Sequence, residues 1–181
     1  MAPDDHDPGG KVRLALPPGV NGDASFTDAQ HRQIMRRWMG DRFPERYVLF
    51  IGMNPSTADA TVNDPTCARE WNFARREGFT GMVKANVGDY RATDPKSLLA
   101  PGVVASSPAN LPTILEAARG AALVVICHGK LNKALAPAGR EIVSALRADG
   151  IRLFCFGINA DGSPKHPLYQ RLDAPLIPFN G

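Results

Sequence analysis

The sequence has little of what marks several common protein classes. Its three cysteines, Cys67, Cys127 and Cys155, are an odd number at wide spacing. They form no disulfide framework and no C-x-x-C pattern for zinc or a cluster, and they read as buried thiols in a reducing cytoplasm. No stretch approaches the roughly 20 apolar residues that span a bilayer, so no membrane partner is expected. Met1 to Gly10 is polar and acidic without an apolar centre, and no signal peptide is expected. Charge of one sign is scarce too. The net charge is +3, far below the basic excess of a non-specific DNA binder. Arginine dominates the basic residues, and its fork suits carboxylate and phosphate alike. A G-x-S-x-G elbow is missing, which argues against an α/β-hydrolase. Cys127 and His128 are neighbours on a strand and face opposite sides, so they do not pair as nucleophile and base. His128 and His166 with Asp59, Asp64 or Asp161 lack ligand spacing, so no metal is expected. No cofactor is implied.

What is present suits one domain. The chain has 181 residues, 44% of them hydrophobic, enough for a real core. Residues 1–23 are rich in Pro, Gly and Asp and read as a flexible N-terminal tail, leaving residues 24–181 as a single α/β domain. Ala24 to Gly40 is ambiguous. Ile34, Met35, Trp38 and Met39 recur at helical spacing, yet the stretch also reads as strands carrying Arg32, Arg36 and Arg37.

From Tyr47 the pattern is plainer. Four apolar runs, Tyr47–Met53, Gly81–Val87, Ala121–Cys127 and Ile151–Gly157, fit strands covered on both faces. Helical signals lie between them. Asp64 caps a helix with Pro65 at its first position and Gly78 after its end. Asn110 is placed to cap a second helix, through Leu111, Leu115 and Ala118. A third runs from about Ala138 to Asp149. The alternation predicts a three-layer α/β/α sandwich with a mostly parallel central sheet. In such sheets the ligand sits beyond the carboxyl ends of the strands.

The segments after those ends hold the unusual polar residues. Gly52-Met53-Asn54-Pro55-Ser56-Thr57 leaves the first strand. Gly52 allows close approach to the backbone and Pro55 fixes the turn. Asn54 there either serves a plain Asn-Pro turn or holds water and substrate at once. Asn86, near the end of the second strand, is satisfied either by neighbouring backbone or by a base edge. Tyr90 and Arg91 follow it; His128 and Lys130 follow the third strand. His166-Pro167 lies after the turn-rich Asp161-Gly-Ser-Pro164, either as surface loop or as a donor to developing charge.

Taken in order, Asn54-Pro-Ser-Thr-Ala-Asp-Ala60, Asn63-Asp-Pro-Thr66, Asn86, Tyr90-Arg-Ala-Thr-Asp-Pro95 and His166-Pro-Leu-Tyr169 resemble the bacterial domain of unknown function family 1643. The resemblance runs from about Arg32 to the C-terminus. More distantly, the order of features is similar to the uracil-DNA glycosylase superfamily, which implies that fold. Gly52-Met-Asn-Pro55 resembles its first active-site motif, which makes Asn54 the residue that positions the hydrolytic water. Asn86 matches the strand-terminal Asn that reads a pyrimidine edge. Val124–Gly129 resembles the strand that ends in an apolar-Trp-Gly sequence, with His128 at the Trp position. His166-Pro167 resembles the second motif, whose His donates to the departing base.

Leu168 and Tyr169 follow His-Pro directly, where that superfamily has a phosphate-gripping Ser and an apolar wedge; Leu168 can serve as the wedge. The resemblance therefore implies a nucleobase-containing ligand, in single-stranded DNA or a smaller nucleotide, and hydrolysis of its N-glycosidic bond. Asn54 and His166 are the expected catalytic pair. Asn86 reads the base, Tyr90 stacks on it, and Arg91 or Lys130 holds a phosphate. Gly52, Met53, Pro55, Ser56, His128, Pro167 and Leu168 complete the expected pocket. Two other readings stand beside this one. One is a non-catalytic nucleotide or nucleic-acid binding module on the same fold. The other is a small-molecule transferase with Asp59, Asp64 or Asp89 as base.

Overall fold

A computed structural model describes residues 13–181. In chain order it contains strands β1 (Leu14–Ala15), β2 (Val20–Phe26), β3 (Arg32–Met39), β4 (Val48–Gly52) and β5 (Val62–Asn63), helix α1 (Pro65–Arg76), and strand β6 (Gly81–Asn86). Helix α2 (Asn110–Gly120), strand β7 (Leu123–Ile126), helix α3 (Ala136–Ala148), and strands β8 (Leu153–Cys155) and β9 (Ile177–Pro178) follow. Short 3₁₀ turns occupy Pro95–Leu99 and Pro167–Tyr169.

Seven strands form one sheet in the order β2-β3-β6-β4-β7-β8-β9, while β1 and β5 pair separately. The four apolar runs of the sequence become β6, β4, β7 and β8, joined in parallel at the centre. The expectation of a mostly parallel sheet is corrected at the flanks. The β2–β3 hairpin adds through β3 antiparallel to β6, and β9 adds antiparallel to β8. The sheet is therefore mixed. Five residues join β2 to β3, too few for the crossover that a parallel pair needs. The ambiguity over residues 24–40 is resolved as strand. The expected tail over residues 1–23 is corrected in part. Residues 1–12 lie outside the described residues, but Leu14 and Ala15 pair with Asn63 and Val62, and β2 begins at Val20.

Period-two alternation gives each sheet face its own core. Leu49, Ile51, Val83, Ala85, Val124 and Ile126 face Ile114 of α2 and Ile142 and Leu146 of α3. Val48, Phe50, Met82 and Val125 face Cys67, Trp71 and Ala74 of α1. Among the described residues no helix is long and apolar enough to cross a membrane.

The helix starts show how local chemistry places these layers. Asp64 Oδ1 accepts from the Cys67 amide at 2.7 Å, Pro65 follows at the first helical position, and Gly78 takes φ +79° just past the end of α1. Replacing Asp64 by Ala is expected to lower stability by about 0.5–2 kcal/mol, read from the urea midpoint; an unshifted midpoint would reject the cap. The Asn110 cap is corrected. Ala109 occupies that position, and Asn110 instead donates from Nδ2 to the carbonyls of Asn86 (3.0 Å) and Val87 (2.9 Å).

Candidate functional site

Beyond the carboxyl ends of β4, β6 and β7, on the α1 side, lies a cavity of about 580 Å³. It forms because the chain leaves β4 in a loop zipped to the chain leaving β6. Val87 N donates to Gly52 O, Gly88 N to Met53 O and Ala92 N to Pro55 O, all at 2.8–2.9 Å. The two loops continue the parallel pairing past the strands. Both contribute lining residues to the cavity, with the Pro167–Tyr169 turn at its rim.

The structure brings most of the expected residues together here. Met53, Asn54, Ser56, Asn86, His128, Lys130, His166 and Leu168 all line the cavity. Pro55 and Pro167 are buried and shape the loops behind it. Two residues fall elsewhere. Tyr90 forms an antiparallel bridge with His31 and sets its ring edge-on to that imidazole at 5.4 Å, so its expected stacking role is corrected. It is not among the residues that line the cavity. Arg91 is buried, donates from Nε to Ser56 O at 3.3 Å and lies 5.6 Å over the Phe26 ring. It braces the Asn54 loop and is not among the residues that line the cavity.

Each central side chain has a fixed role in the wall. Asn54 Nδ2 donates to the carbonyls of Ala92 (2.7 Å) and Pro55 (3.0 Å), which orients the carboxamide and leaves Oδ1 as its acceptor. Asn86 is 1% exposed, and neither Nδ2 nor Oδ1 has a partner among the described residues. The alternative in which backbone satisfies its side chain is thus not realised; it is the main-chain carbonyl of Asn86 that is bonded, by Asn110 Nδ2.

The two histidines are complementary. His166 Nδ1 accepts from the Leu168 amide at 3.3 Å, so the proton of the neutral ring sits on Nε2. Burial, with the nearby Lys84 ammonium and His128, holds its pKa down to about 4 against the pull of Asp64. His128 Nδ1 donates to Gly129 O at 2.6 Å, which leaves Nε2 an acceptor, and burial lowers its pKa as well. At neutral pH the cavity holds one imidazole donor and one imidazole acceptor.

The floor contains residues that the pattern reading missed. Lys84 lines the cavity and is paired with Glu70 of α1; their side chains are 5% and 0% exposed. Burial pushes the Glu70 carboxyl up against the opposing pull of Lys84. Burial pulls the Lys84 ammonium down, but the Glu70 carboxylate outweighs it and the net shift is upward. Cys127 Sγ lies 3.6 Å from Glu70 Oε1, and burial raises the Cys67 and Cys127 thiols, so both stay protonated and unreactive. Arg32, 1% exposed, also lines the cavity and donates to Ala58 O. A lysine inside the apolar run Gly81–Val87 was the available sign of the floor.

Gly52 does not line the cavity but makes it. A β-carbon there would collide with Lys84 Nζ and come within 2.9 Å of Asn86 Oδ1. Gly52→Ala is expected to cost about 1–3 kcal/mol by overpacking. Its urea midpoint, compared with that of the unaltered protein, checks whether the space at Gly52 is needed.

The fold is a mixed α/β sheet with a ligand-sized cavity, lined largely by loop residues, at the ends of its parallel strands, where open α/β sheets commonly place their ligand sites. The chain belongs to the family described as Protein of unknown function (DUF1643), whose model matches residues 32–168. No curated protein and no solved structure matches it.

Proposed function

We propose that the cavity recognises a nucleobase and that the protein hydrolyses its N-glycosidic bond, in single-stranded DNA or a smaller nucleotide. One observation carries the reading: Asn86 presents a buried, unpartnered carboxamide in a cavity that also holds Asn54 and His166. A buried amide without partners costs about 1–3 kcal/mol. A base edge, with a donor beside an acceptor, satisfies both of its atoms. The reading takes the uracil-DNA glycosylase superfamily as its guide to fold and roles.

In the reaction the C1′–N bond breaks and its electron pair leaves on the base. A water oxygen bonds to C1′, and a proton from that water ends on the base. Asn54 Oδ1 accepts from the water and orients it, a proximity effect. His166 Nε2–H donates to the base as negative charge grows on it. The buried thiols suit a reducing, cytoplasmic setting.

Base release under single-turnover conditions tests the reading. The substrates are single-stranded and duplex DNA containing uracil or other deaminated bases, and free deoxynucleotides. Single-stranded or free substrates are expected to react faster than duplex, because unstacking a base costs a few kcal/mol. A second reading, binding without chemistry, is favoured by the rim, where exposed Leu168 and Tyr169 follow His166-Pro167 directly. Tight binding with no released base across the set would establish it.

A further inference from the structure

Lys84 stands two residues before Asn86 on β6, on the same face of the sheet, and lines the same cavity. An ammonium has three donor hydrogens. Among the described residues only Glu70 Oε1 accepts from it. Because the side chain is 5% exposed, bulk water reaches the other donors poorly. The missing β-carbon of Gly52 places the ammonium and Asn86 Oδ1 over one spot. The surrounding ionisable groups are Glu70, Cys67 and Asp64 from α1 and its cap, Cys127 after β7, Arg32 of β3, and His166 at the rim. Glu70 balances and pins the cation without using all its donors.

We propose that Lys84, clamped by Glu70 beside Asn86, is a specificity-determining residue that selects bases with an acidic edge. Such an edge is a ring N–H flanked by carbonyl, whose negative charge on ionisation spreads over nitrogen and oxygen. The inference rests on the nucleobase reading of the cavity. A neutral carboxamide alone distinguishes hydrogen-bond patterns but hardly distinguishes acidity. A desolvated ammonium beside it does, because charge-assisted hydrogen bonds are about twice as strong as neutral ones. The same cation would stabilise the negative charge that grows on a departing base, alongside His166.

The test compares bases of closely similar shape and unequal acidity by equilibrium binding to the full chain: uracil with 5-fluorouracil, and thymine with 5-trifluoromethyluracil. The more acidic member of each pair is expected to bind about tenfold more tightly, with the gap widening as pH rises through its ionisation. In the Lys84→Met/Glu70→Gln double variant, which removes both charges together, the gap is expected to vanish. If that variant fails to fold, the pH dependence of the gap in the unaltered protein decides. Equal binding within each pair at every pH would overturn the role of Lys84 and leave the nucleobase reading standing. Failure of all four bases to bind would overturn that reading and this inference with it.

Discussion

Lys84→Met alone is expected to lower the unfolding free energy by about 3–5 kcal/mol, the largest stability loss of any single change proposed for this chain. The variant leaves the Glu70 carboxylate with no exposed surface and no counter-charge. Glu70 Oε2 already lacks a partner, and the Cys127 thiol at Oε1 is a weak donor that carries no counter-charge. The double variant Lys84→Met/Glu70→Gln is expected to recover most of the loss, because it removes the uncompensated charge. The pH dependence supplies an independent check. Burial already raises the folded pKa of Glu70, and removing Lys84 takes away the main opposing pull. The folded variant then binds a proton at Glu70 that the unfolded chain has lost above about pH 4.3. Its stability is therefore present at low pH and falls as pH rises through the raised folded pKa. Urea titrations from pH 4.5 to 8 measure this. Equal midpoints for the single and double variants would show that the pair is hydrated and not a buried floor.

His166→Ala is expected to cut single-turnover base release by about 10²–10³-fold, the usual cost of removing one donor to a developing anion. Asn54→Ala is expected to fall in the same range. The double variant should lose less than the product, since both groups act on one transition state. The protonation state gives the finer signature. With its pKa held to about 4, the His166 ring stays neutral throughout the ordinary range. An acid limb in release is expected near pH 4, not near the ordinary imidazole value of about 6.5. Stability follows the same group with a definite sign. The unfolded chain binds a proton at His166 below about pH 6.5 that the folded chain refuses until about 4. The neutral ring's contribution is complete above the upper value and is lost as pH falls toward the lower one. His166→Gln should flatten that part of the urea–pH profile. A rate profile that instead breaks at 6.5 would identify a solvated imidazole and remove His166 from the proposed chemistry.

The legible parts of the molecule were those where one physical signal dominates. The four parallel strands stand out because both their faces are covered, which makes the runs continuously apolar. The start of α1 stands out because Asp64-Pro65 serves no purpose as well as a cap. The hairpin was harder because its inward positions include arginines. Arg37 is fully buried, and it donates to Asn63 Oδ1 at 2.9 Å and Val62 O at 2.8 Å, which ties β3 to β5. A buried guanidinium satisfied by distant carbonyls looks in sequence like a solvated residue. Tyr90 misled for a related reason. One residue of register decides which side of the sheet a side chain faces, and its partner His31 lies almost sixty positions upstream. Lys84 and Glu70 come from separate elements, and only the fold puts them together.

Helix α1 touches the site in three places. Asp64 at its start lines the cavity, and Glu70 at its middle pins the floor. Arg69 donates from Nε to Gln170 O at 3.2 Å, and Arg76 from Nη1 to Leu172 O at 2.6 Å, which holds the segment after His166. A ligand that bridges Lys84 and His166 would therefore stabilise one cooperative unit made of α1 and the His166 loop. Hydrogen exchange would show it as slowed amide exchange concentrated in α1 and residues 166–172, growing with ligand concentration as RT ln(1 + [L]/Kd), while the α2–α3 side of the sheet responds less.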